Sequence, residues 1–88
     1  MSKVFSQIKQ ILHESYSIQL DQIQLETKFE LELGTDSREF LELLIDFEKV
    51  FKIEINFEES FEIITIQDAV NYIENKLKPQ TELKSGAL

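Results

Sequence analysis

The chain has no cysteine and no tryptophan, one histidine, one proline and two glycines. Without cysteine it forms no disulfide and no thiolate metal site, and a reducing compartment suits it. With His13 as the only histidine, a zinc site is untenable and no metal is expected. The scarcity of glycine and proline disfavours a turn-rich β fold. No apolar run approaches the roughly 20 residues of a membrane-spanning helix, so no span is expected. The opening residues, MSKVFSQIKQ, mix charged and apolar side chains and do not form the apolar centre of a cleaved signal. A cytoplasmic location is expected.

What is present suffices for one small domain. Of the 88 residues 42% are apolar, and seven phenylalanines supply bulk for a core. The net charge of −8 is concentrated: residues 21–62 carry thirteen acids and four bases, and the rest is nearly neutral. Such a middle repels nucleic acid and anionic membranes, and it attracts basic protein surfaces. The plainer role of the same charge is solubility.

Apolar periodicity predicts an all-α fold, a small antiparallel bundle of three main helices plus one short helix. Val4, Phe5, Ile8, Ile11 and Leu12 share one face of a first helix from about Lys3 to Ser15, with Ser2 as its cap. Residues 16–36 lack helical period but keep supplying apolar anchors, which predicts a long connector packed across the core with a helical turn near Asp21. A second helix starts at Asp36. Gly34 relieves the backbone before it, and Asp36 with Glu39 forms a capping box. Phe40, Leu43, Leu44, Phe47, Val50 and Phe51 fall on its inner face, while Leu41 and Ile45 lie at the seam. "IEINF" (53–57) alternates like a strand but has no partner, so it reads as an extended connector into a short helix near 57–62. Thr65 and Asp68 cap a last helix that Pro79 ends. Residues 1–78 read as the domain and 79–88 as a polar, disordered tail.

Few chemistries survive this inventory. The acids do not follow the EF-hand spacing. His13 reads as an ordinary residue near a helix end, and nothing pairs it with a serine and an oxyanion hole. The many carboxylates lack the apolar setting that separates the pKa values of an acid–base pair. No catalytic residue and no enzymatic activity are expected. Ser37 stands out instead. It occupies the first helical position, where unpaired amides and the helix dipole favour an attached anion by roughly 0.3–1 kcal/mol.

The stretch "LELGTDSREFLELL" resembles the signature of acyl carrier proteins: a glycine, a variable residue, then Asp-Ser at the start of an acidic helix. The similarity runs over about residues 3–77 and includes Phe29 before "ELELG", "FEKVFKIEI" and "TIQDAVNYI". It implies that Ser37 carries 4′-phosphopantetheine, donated by coenzyme A through a separate phosphopantetheinyl transferase. The thiol of that arm would hold acyl groups as thioesters for fatty-acid, polyketide or related lipid biosynthesis. Asp36 matches the residue before the modified serine. Glu39, Glu42 and Glu48, with apolar Leu41 and Ile45, match the face that meets basic acyl-loading and condensing enzymes. Phe29, Leu43, Phe47, Ala69, Val70 and Ile73 are the candidates for an acyl pocket, and a monomer is expected.

The departures are Arg38 where the family usually has leucine, Asn56 where many members have proline, and bulky Phe40 and Phe57. Arg38 places a cation beside the phosphodiester and suggests a specialised rather than housekeeping carrier. Two alternatives remain at this point. One is an aminoacyl or D-alanyl carrier with the same Ser37 chemistry; the other is an unmodified acidic helical adaptor.

Overall fold

A computed structural model describes residues 3–77. Four helices follow one another: α1 (Lys3–Tyr16), α2 (Ser37–Phe51), α3 (Phe57–Ser60) and α4 (Ile66–Leu77). The three longer ones enclose a single core, α1 packing on α4, with α3 as a short outer turn. This is the small helical bundle that the apolar periodicity predicts. The proposed cap at Ser2, the stop at Pro79 and the tail lie outside the described residues.

Each helix buries the stripe its spacing marks. Val4, Ile8 and Leu12 of α1 meet Leu43, Leu44, Phe47 and Phe51 of α2 and Ile66, Ala69, Val70 and Ile73 of α4 in one cluster. Phe47 and Phe51 add an edge-to-face ring contact at 6.2 Å. Val50 departs from expectation and is about half exposed. It sits at the margin of the inner stripe in the last turn, where Phe51 takes the inward place. The chain then turns away through Lys52, which has the left-handed φ of 58°.

The caps explain where the helices begin. Asp36 Oδ1 accepts the Glu39 amide at 2.8 Å, and Glu39 Oε1 accepts the Asp36 amide at 3.2 Å, completing the capping box. At α4, Thr65 Oγ1 accepts the Asp68 amide, and Asp68 Oδ2 accepts the amides of Ile64 and Thr65, each at 3.1 Å. Partial burial pushes the Asp68 carboxyl up, but those hydrogen bonds outweigh it and hold the pKa below the ordinary carboxylate value. Asn56 caps α3 by accepting the Glu58 and Glu59 amides.

The long connector is ordered by the core it crosses. A single 3-10 turn, Leu20–Gln22, stands where a helical turn near Asp21 is predicted. Ile18, Ile23 and Phe29 are buried anchors. The connector then runs antiparallel to the start of α4: the Phe29 amide donates to Ile64, that of Ile66 to Thr27, and that of Gln67 to Leu25. These bonds bring residues 28–31 against residues 63–64, which shapes the surface beside Ser37.

Candidate functional site around Ser37

The sequence "FELELGTDS" closes a small loop before it opens α2. Thr35 is buried; both its amide and its hydroxyl donate to the Phe29 carbonyl, at 3.1 and 3.0 Å. Gly34 adopts φ 75°, a conformation a side chain would strain. The clasp and the turn deliver Asp36 as cap and Ser37 as first helical residue. Thr35 was only the variable position of the motif by sequence. Its role comes from a carbonyl six residues away.

Ser37 is exposed, and its hydroxyl makes no hydrogen bond within residues 3–77. The capping box consumes the Glu39 amide, so the amides of Ser37 and Arg38 are left at the helix start without a place in it. Arg38 is exposed one residue on. The start of α2 thus combines an exposed hydroxyl without a partner among the described residues, a positive helix end and an exposed arginine at the next position.

Along α2, Glu42, Leu41 and Ile45 are exposed on one outward surface together with Glu39. Glu39 is committed to the cap through one oxygen. Glu48 is half-buried and accepts the Ile55 amide at 2.8 Å, so it also ties down the connector after α2. Asp46 accepts the Tyr16 hydroxyl at 3.1 Å. Burial, that hydrogen bond, and the charges of Asp46, Glu42 and Glu39 together push the Tyr16 phenol up to about 12. His13 has its Nδ1 2.9 Å from the Ile18 carbonyl, which can only accept, so the ring donates there. No cluster of His, Asp or Glu able to hold a metal ion occurs among the described residues.

Beside Ser37 lies an apolar groove of about 380 Å³. Its walls come from three segments: Phe29 and Leu31 of the loop, Ser37, Phe40 and Leu41 of α2, and residues 57–64 around α3. Phe57, Phe61 and Ile64 are 55%, 68% and 56% exposed there. Of the six acyl-pocket candidates only Phe29 reaches this groove. Leu43, Phe47, Ala69, Val70 and Ile73 are sealed in the core and line no part of it. A helical stripe looks the same in sequence whether it closes a core or lines a cavity. The Phe57–Phe61 spacing of four on a short acidic helix was the signal that could have located the groove.

The wall made by α3 is tied from behind. The Tyr72 hydroxyl accepts the Asn56 amide at 3.0 Å and donates to Glu59 Oε1 at 2.7 Å, joining α3 to α4. Burial and the Glu59 bond raise the Tyr72 pKa, so the phenol stays protonated as this link requires.

The family model describing the phosphopantetheine attachment site matches residues 6–73, most of the chain and all four helices in whole or part. The chain belongs to that family. Domains of this family bear 4′-phosphopantetheine covalently, and this protein is therefore a phosphopantetheine carrier that meets a transferase and biosynthetic enzymes. The residues at hand fit the group. An unpartnered hydroxyl at a helix start suits a phosphodiester, and the neighbouring groove offers apolar surface to what hangs from it. No helix among the described residues is long and apolar enough to cross a membrane.

Proposed function

We propose that Ser37 is the attachment residue, and that the carrier shuttles acyl intermediates between enzymes of fatty-acid, polyketide or related lipid biosynthesis. The observation that carries this reading is the Ser37 hydroxyl: exposed, without a partner among the described residues, first in α2 and on the rim of an apolar groove. When bound, the group supplies the thiol that a cysteine-free chain lacks and holds acyl groups as thioesters. The chain itself contributes position rather than catalysis. Ser37 Oγ takes the phosphoryl end of the arm from coenzyme A as the pyrophosphate bond breaks. Its proton passes to a base of the transferase, and adenosine 3′,5′-bisphosphate leaves.

Asp36 holds the helix start through its cap, and Arg38 faces the new anion with its guanidinium. Glu39, Leu41, Glu42, Ile45 and Glu48 form the docking face for basic partners, where charge chiefly raises encounter rates and sets orientation. Modest affinity suits a shuttle that must release each enzyme. The carrier domain occupies residues 1–78 and acts as a cytoplasmic monomer without activity of its own. An aminoacyl cargo would share the attachment chemistry, but the apolar groove beside Ser37 favours an acyl one.

Intact mass tests the carrier reading. With coenzyme A and a promiscuous phosphopantetheinyl transferase, the protein gains the mass of one phosphopantetheine; an unchanged mass refutes it. The specialised role assigned to Arg38 has its own check. Arg38→Leu is expected to leave stability within about 0.5 kcal/mol, as for an exposed residue, while shifting acceptance toward housekeeping acyltransferases. Unaltered rates with both housekeeping and dedicated enzymes would remove that role.

A further inference from the structure

The groove beside Ser37 is walled by two edge-to-face phenylalanine pairs. Phe29 and Phe40 meet at 5.3 Å with a 60° interplanar angle, and Phe57 and Phe61 meet at 4.9 Å and 68°. The first pair is anchored in the core through Phe29. The second stands at the two ends of α3, Phe57 opening it and Phe61 capping it, more than half exposed, where apolar rings raise the hazard of association. Its position is held by the Tyr72 link, so the exposed rings form a built wall.

The occupant is set by tethering. Ser37 itself lines the groove, so a group on its arm is present there at an effective concentration of about millimolar without needing a free ligand's affinity. Size then limits the occupant. At some 380 Å³ the groove is near the small end of ligand pockets, which run from about 300 to 1,000 Å³. Leu43, Phe47 and Ile73 are sealed outside the groove, so a long alkyl chain finds no empty channel through the core. Shape and electrostatics point the same way. The paired rings offer both faces and edges, and a further ring packs against such pairs better than an alkyl chain of equal area. Charge enters only through residues such as Lys28 and Glu30 on the loop side.

Resting on the carrier reading, we propose that the cargo this carrier shelters is a compact acyl group bearing an aromatic ring, held between the Phe29–Phe40 and Phe57–Phe61 pairs. The test loads the protein with phenylpropionyl, nonanoyl or hexadecanoyl phosphopantetheine from the corresponding coenzyme A thioesters. Hydroxylamine cleavage of each thioester is measured relative to the same acyl group on free pantetheine, and aromatic-ring NMR shifts are recorded. The phenylpropionyl thioester is expected to be cleaved about two- to tenfold more slowly than the nonanoyl one of equal carbon number. Its loading should also shift the Phe57 and Phe61 signals. Hexadecanoyl should gain no protection over nonanoyl. Phe61→Leu, an exposed change that keeps the apolar surface, should abolish the ring preference. Equal or better protection of nonanoyl, or a preference that survives Phe61→Leu, overturns the proposal alone. Failure of every thioester to load overturns the carrier reading and this proposal with it.

Discussion

Helix α2 presents two opposite solutions to the same composition. Its inner face places Leu43, Leu44, Phe47 and Phe51 in a sealed core, whereas its N-terminal end leaves Ser37, Leu41 and the adjoining phenylalanines of α3 open to solvent. Both regions are apolar and rich in phenylalanine. What separates them is covering: α1 and α4 close over the first, and nothing among the described residues closes over the second. Apolar area therefore supports stability in one region, and on the proposed reading it serves an incoming group in the other.

The sharpest way to break this comparison is to remove one phenylalanine from each region. Phe47→Ala should destabilise by about 3–5 kcal/mol, as for other buried aromatic truncations. Phe61→Ala should stay within about 0.5 kcal/mol of the parent. Urea denaturation measures both, and comparable losses would show that the groove wall is structural after all.

A smaller effect is expected where the two regions join. Asp36→Ala removes half of the capping box and should cost about 1 kcal/mol. Because it also loosens the turn that presents Ser37, transfer from coenzyme A should slow in the same variant. A loss of stability with unchanged transfer would separate the cap from the site.

Smallest is the contribution of the α1–α2 link. The Tyr16 phenol is raised to about 12, chiefly by burial and then by its bond to Asp46 and nearby carboxylates. Below pH 10 both folded and unfolded chains keep the proton, and the contribution is complete. Between pH 10 and 12 the unfolded chain loses it first, so stability falls as pH rises. Urea midpoints across that window should decline more steeply for the parent than for Tyr16→Phe. Parallel declines would show that the link does not matter.

Much of the fold is legible in the sequence because it depends on local rules. The 3.6-residue stripes, the D-x-x-E box at Asp36 and the Thr65–Asp68 pair each act within one turn of helix, and the structure contains all three. Ser37 is conspicuous for the same reason. The groove is not legible, since it joins residues 28–31, 37–41 and 57–64 that only tertiary packing brings together. The stripes of α2 and α4 named as an acyl pocket are buried and closed in this structure, so they would have to part to admit a chain. The role of Thr35 is not legible either, because its acceptor, the Phe29 carbonyl, comes within reach only when the loop closes.

The central claim is that the open end of α2 exists to bear a covalent arm at Ser37. Peptide mapping by mass spectrometry after reaction with coenzyme A and a phosphopantetheinyl transferase tests it most directly. The account predicts one phosphopantetheine, on Ser37, in the parent protein and none in an equally stable Ser37→Ala variant. An unmodified parent, modification at another residue, or a Ser37→Ala protein that still gains the group would contradict it.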